Sequence, residues 1–186
     1  VTPGRSSWSV EPVKGVRIIG LDVTVDGKPY GEASPASLSW IKNELAASAR
    51  ARLVIIVTHQ LLLPTHKGDS GPEGSLWLVK NHTTVREILE KYPNVRMVIS
   101  GHHHASKVET VNGITYVADP AIVTYPCAFR VFTVSREGIH LKNIGLDEKN
   151  IIAKARELLA ADPYAHLYDP ANPQHRDLMV KLEAGR

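Results

Sequence analysis

Three consecutive histidines, His102, His103 and His104, follow Gly101 at the end of a hydrophobic stretch, and His59 follows Thr58 at the end of another. Imidazole is the commonest protein ligand for metals and is largely neutral at physiological pH. A site built from imidazoles and carboxylates takes zinc, iron, nickel or manganese. In an extended segment, residues two apart point to the same side, so His102 and His104 are expected to converge while His103 turns away. Gly101 lets the backbone bend sharply just before them. Taken singly, His59 reads as a hydrogen-bonded residue at the rim of a sheet and the triplet as a solvated loop. Two strand ends of the same design make a metal site the stronger reading. Thiolate chemistry is excluded, because Cys127 is the one cysteine and thiolate-based zinc or iron–sulfur sites need several. An internal disulfide is excluded for the same reason.

Those side chains need a scaffold, and the 186 residues supply one, with 43% hydrophobic and 22% charged residues in a globular balance. A chain of this length buries a core without cross-links. Residues 1–15 read as an extended arm or an incomplete strand. Val16, Ile18, Ile19 and Leu21 predict a strand ending at Asp22. Ser34 as N-cap, Pro35 at the first helical position, and Leu38, Ile41 and Leu45 on one face predict a helix. The unbroken aliphatic run 53–57 suits a strand covered on both faces. Residues 61–74, rich in Pro, Gly and Asp, form a loop long enough to expect a functional role. Val85, Ile88, Leu89 and Tyr92 mark a second helix stopped by Pro93, and Val95, Met97, Val98 and Ile99 a third strand. This alternation predicts an α/β arrangement with both histidine groups along the rim made by the carboxyl ends of the strands.

Beyond the histidines the pattern changes to hairpins. Segments 107–111 and 114–118 flank Asn112-Gly113, which favours a type I′ turn, and 129–134 and 139–141 flank Glu137-Gly138. Residues 143–186 read as a helical tail: one helix with Ile151, Ile152, Ala155, Leu158 and Leu159, a Pro-rich segment, and a short terminal helix.

Net charge is +3 and the pI near 9.0, yet Lys and Arg are scattered and aromatics make up 6%, so nucleic-acid binding is not indicated. The longest aliphatic run is far below the roughly 20 residues that cross a bilayer, so no membrane partner is expected. The lone cysteine is compatible with the cytoplasm, which is favoured without being fixed. The chain opens on Val1 rather than methionine, so an upstream segment is expected, and a signal peptide would go unseen.

The order Ile18-Ile19-Gly20-Leu21-Asp22, Gly31, Leu38-Ser39-Trp40-Ile41, Val57-Thr58-His59, Ser100-Gly101-His102-His103-His104, Asn112-Gly113-Ile114 and Asp119-Pro120 resembles the calcineurin-like metallophosphoesterases, and most of all their bacterial phosphodiesterase branch. The resemblance covers about residues 16–142. It implies a β-sandwich flanked by helices, with two divalent or trivalent metal ions (Fe, Mn, Zn or Ni) at the strand ends and hydrolysis of a small phosphate ester. By resemblance, His59 and His102 would ligate one metal and His104 the other. The family's Asp-x-His, Gly-Asp-x-x-Asp and Gly-Asn-His-Glu segments do not occur here, and Asn81-His82 imitates the last only superficially. The chain is therefore read as the C-terminal half of such a domain. The remaining half would come from the same precursor, another chain or a swapped copy. Alone, three neutral imidazoles cannot balance two dications, so weak activity or none is expected.

Other residues carry second readings. His66 and Asp69 read as part of a solvated loop, with contact to substrate as the functional alternative. His103 would touch phosphate, support a ligand from behind or lie on the surface. Asp22 reads as a structural hydrogen-bonding residue near the rim, and Tyr125 and Pro126 as packing residues able to line the site. Two other functions stay open: a protein-interaction scaffold of the same fold, and a mononuclear hydrolase holding zinc on three histidines.

Overall fold

The computed structural model describes residues 6–66, 69, 76–168 and 177–182, and the chain divides into two compact units. The first comprises residues up to His102 together with Glu109–Val117. The larger sheet has strands β1 (Trp8–Val13), β2 (Val16–Gly20), β3 (Leu53–Thr58), β4 (Val95–Ser100), β5 (Lys107–Val111) and β6 (Ile114–Ala118), in the order β1-β2-β3-β4-β6-β5, all in this unit apart from Lys107, Val108 and Ala118. The helices are α1 (Pro35–Ala47) and α2 (His82–Leu89). The fold class is thus the expected mixture of α and β.

Strands β2, β3 and β4 pair in parallel, with Gly20 opposite Val57 and Thr58 opposite Ser100, so all three end at one edge. The aliphatic run in β3 is buried on both faces, as a central parallel strand requires. Ile19, Ile56 and Val98 from the strands meet Ile41 and Leu45 of α1 and Val85 and Leu89 of α2 in one hydrophobic cluster. Ser34 caps α1 by accepting from the Ser37 N–H at 3.0 Å, with Pro35 at the helix start. Asn112 and Gly113 take φ of 50° and 81°, the positive values a type I′ hairpin needs.

Part of the expected arm is an ordered edge strand, β1, antiparallel to β2. Its residues are mostly exposed, so no apolar alternation announces it. Trp8 pairs with Gly20, and its indole lies where a Cβ on Gly20 would be, so the glycine admits the ring.

Asn81 stands just before α2 but does not cap it through its side chain. Its amide instead accepts from the Ala33 N–H at 2.9 Å and donates to the Ala33 carbonyl at 2.8 Å, tying the lead-in of α1 to that of α2. Asn81→Ala leaves both backbone groups of Ala33 without these partners. A loss of about 1–3 kcal/mol is expected in chemical denaturation. An unchanged midpoint would show that solvent replaces both bonds at no cost.

The second unit comprises His103–Val108 and residues from Ala118 onward. It holds an antiparallel sheet of β7 (Ala128–Val134), β8 (Gly138–Gly145) and β9 (Leu178–Lys181), followed in chain order between β8 and β9 by α3 (Lys149–Leu159) and a 3-10 turn at Ala165–Tyr168. The expected terminal helix is instead β9. Leu178 and Val180 sit opposite the buried Leu141 and Ile139 at period two, and a stretch this short does not sustain a helix. Gly138 belongs to the same contact: an added Cβ would collide with the Val180 carbonyl. The Pro-rich segment expected before β9 lies outside the described residues.

Arg130 is buried in this unit. It donates to the Ala118 carbonyl at 3.3 Å, to Asp119 Oδ1 at 3.2 Å, and to the Ser106 hydroxyl. Burial pushes the Asp119 carboxyl up from 3.8 to about 6, with the Arg130 charge pulling the other way. Because the folded value lies above the unfolded one, this group's contribution is complete below pH 3.8 and is lost as pH rises through about 6. The rise corresponds to about 3 kcal/mol. Asp119→Asn is expected to flatten that part of the stability–pH curve, read from denaturation midpoints between pH 4 and 7. An identical slope in wild type and variant would remove Asp119 as its source.

Candidate metal centre

The parallel strands deliver their next residues to one edge. After β3 comes His59, and after β4 come Gly101 and His102; the Gly101 N–H donates to the His59 carbonyl at 3.1 Å, extending the ladder past the strand ends. The imidazoles meet there. His59 Nε2 lies 2.9 Å from His102 Nδ1, with ring centroids 4.7 Å apart and planes at 64°.

The other nitrogen of His102, Nε2, lies 3.0 Å from the Leu76 carbonyl. A carbonyl only accepts, so Nε2 carries the proton, and in the neutral ring the Nδ1 lone pair faces His59. Nδ1 then accepts from His59 Nε2–H, and a cation entering between the rings would take the place of that proton, while the backbone acceptor keeps the far nitrogen fixed as it does for metal-binding imidazoles. Two nitrogens on one tetrahedral zinc at about 2.0–2.1 Å stand roughly 3.3 Å apart, so a shared cation needs only a slight opening of the pair. The donor set therefore fits a metal.

His102 and His104 both have left-handed backbones, with φ of 58° and 59°. The expected extended geometry, in which these two converge by simple alternation, is thus replaced by two sharp turns. Side chains other than glycine adopt that region at a cost of order 1–3 kcal/mol, and such strain concentrates at functional sites. Among the site residues expected from sequence, the structure brings together His59 and His102. His103 and His104 belong to the second unit; His104 is half-buried. His103 is buried rather than superficial, and its carbonyl accepts from the Tyr168 hydroxyl at 3.1 Å.

A cleft of about 390 Å³ opens beside His59, lined also by Trp8, Asp22, Thr58 and Gly101. Asp22 lies on it as expected for the rim, and Asp22 Oδ1 accepts from the Thr24 N–H at 2.9 Å, a turn-forming contact. Asp69 departs from the solvated-loop reading. It is 1% exposed, with Oδ2 accepting from the Thr65 N–H and hydroxyl at 2.6 Å each and Oδ1 lying 3.2 Å from His66 Nδ1. Much of the remaining 61–74 loop is outside the described residues. Asn81 is a tie for Ala33, as above. Burial, then the Arg86 charge, hold the His82 imidazole below its ordinary value. Sequence reasoning missed the Leu76 carbonyl, since a backbone acceptor has no residue signature.

Comparison with known proteins gives the chain's similarities in sequence and fold. The chain is 28% identical over 109 residues to the 3',5'-cyclic adenosine monophosphate phosphodiesterase CpdA of Escherichia coli, a match covering 56% of this chain and 36% of that protein. It is 31% identical over 105 residues to the CpdA of Haemophilus influenzae, covering 54% and 35%. Among solved structures, a dimetal phosphatase from Danio rerio superposes with a TM-score of 0.65 at 15% identity, over 95% of this chain and 60% of that one. In sequence and fold the chain is similar to the calcineurin-like metallophosphoesterases. The Plasmodium protein GAP50, described as an anchor in the inner membrane complex, shares the fold at a TM-score of 0.56 and 16% identity, over 78% of this chain and 52% of that one. No family model matches the sequence. The chain spans about a third of the length of the curated relatives it matches.

Proposed function

We propose that this chain takes part in metal-dependent hydrolysis of a small phosphate ester, a phosphodiester of the cyclic-nucleotide kind being the substrate class of its CpdA relatives. The observation that carries the reading is the His59–His102 pair at adjacent parallel strand ends, with the Leu76 carbonyl on the far nitrogen of His102. His59 and His102 would hold one metal, and His104 a second. Bound there, divalent cations polarise phosphate and lower the pKa of water. The chain's own part is to present neutral nitrogens at fixed positions. Its cleft beside His59 offers Asp22 and Thr58 to the ligand. Carboxylates to balance two cations would come from a further segment, of the same precursor, another chain or a second copy.

The test measures metal per chain and release of 4-nitrophenol from bis(4-nitrophenyl) phosphate, for these 186 residues alone and joined to an Asp-rich N-terminal half taken from a CpdA relative. Fewer than two metals and near-background release from the chain alone, with both restored in the joined protein, is the expected result. Two metals and brisk turnover from the chain alone would overturn the shared-ligand part of the reading. Stable metal-free behaviour in both forms would favour an anchoring role, as in GAP50.

A further inference from the structure

The segment that supplies the Leu76 carbonyl is tied down on two sides. The Leu61 N–H donates to the Trp77 carbonyl and the Val79 N–H to the Leu61 carbonyl, each at 3.0 Å. The Lys80 N–H donates to the Gly31 carbonyl at 2.8 Å. Leu61, Leu78 and Val79 are all buried. Leu61 is also only two residues beyond His59, so one short strap runs beside the chain carrying the first imidazole and reaches over to the second. At its end, the Trp77 ring stands 5.3 Å from the His102 ring, tilted by 55°, within the range of aromatic contact.

An imidazole on a left-handed residue at the end of a strand still rotates about its side-chain bonds. The Leu76 carbonyl and His59 Nε2 each hold it at one nitrogen, at opposite edges of the ring, which leaves rotation about the line joining those two contacts as the loosely restrained motion. The tilted Trp77 indole, 5.3 Å away, restrains that rotation. We infer that Trp77, carried on residues 76–80 where they pair with Leu61 and Gly31, is a positioning residue that holds the His102 ring so that Leu76 O receives the Nε2 proton and Nδ1 is the nitrogen offered to a metal. The inference rests on the metal-site reading for its purpose, but its geometry is testable without any metal.

The experiment uses the full chain with nitrogen-labelled histidine, kept above the imidazole titration range. Nitrogen–proton correlation spectra report which ring nitrogen of His102 carries the proton, and His102→Asn assigns the signal. In the metal-free wild type, a single Nε2–H form is expected. In Trp77→Leu, a mixture of both tautomers is expected with the circular dichroism spectrum unchanged, and Trp77→Phe should recover most of the wild-type pattern. Nickel titration should then show affinity falling about 10–100-fold in Trp77→Leu, the range for losing a group that orients a ligand. A pure Nε2–H form retained in Trp77→Leu overturns the inference whatever the metal does. If Trp77→Leu fails to fold, Trp77→Phe decides alone: tautomer and affinity both lost despite a native fold would equally overturn ring packing as the cause. Tautomer mixing without nickel binding by wild type would uphold the strap and count against the metal reading.

Discussion

Replacing His102 with asparagine is expected to lower zinc or nickel affinity by at least about 100-fold, since loss of a group that merely orients a ligand already costs up to that much. Asparagine is the informative choice because the residue sits at φ 58°, a backbone region that asparagine tolerates and alanine does not. The substitution therefore removes the imidazole without adding strain. His59→Ala should produce a loss of similar size, His59 Nε2 being 2.9 Å from His102 Nδ1. If both nitrogens serve one cation, the double variant should bind scarcely worse than either single one, because groups acting as a unit do not add. Calorimetric titration of the three variants reads this directly. Fully additive losses would assign the two rings to separate cations.

Ile56→Ala should cost about 2–5 kcal/mol in urea denaturation, the range for deleting most of a buried isoleucine. Ile56 is 0% exposed in β3 and belongs to the cluster that joins the central strands to α1 and α2. Total stability of a domain is about 5–15 kcal/mol, so this one change removes a large share of it. The loss should show in metal binding only as the population of folded chain falls, since Ile56 lies on the strand leading to His59 without touching it in sequence. A collapse of metal affinity while the chain remains folded would mean that the core of β3 sets imidazole geometry more directly than packing alone explains.

What could be read in the sequence follows from where the physics is local. The buried strands β3 and β4 declare themselves because a parallel central strand is apolar on both faces, and α1 because Ser34, Pro35 and the Leu38, Ile41, Leu45 spacing all agree. Asn112-Gly113 specifies its turn by backbone preference alone. The pairing of His59 with His102 was legible one level up, since strand ends in an open parallel sheet lie along one edge. The rest depends on tertiary contacts. The left-handed turns at His102 and His104 are imposed by surroundings and not by residue preference. Asp69 looks like any polar loop residue until the Thr65 N–H and hydroxyl that take it out of water are seen. Strand β9 is four residues whose pairing with β8 decides its conformation.

The bridge between Leu61 and Leu78 joins the two ends of the chain that lies between them. Leu76 and Trp77, which touch the His102 ring, lie immediately inside that bridge. Lengthening a loop whose ends are already joined costs about 0.6 kcal/mol per doubling of its length. An insertion between His66 and Leu76 is therefore expected to leave the His59–His102 pair in place, with stability in urea denaturation shifted by no more than about 1 kcal/mol.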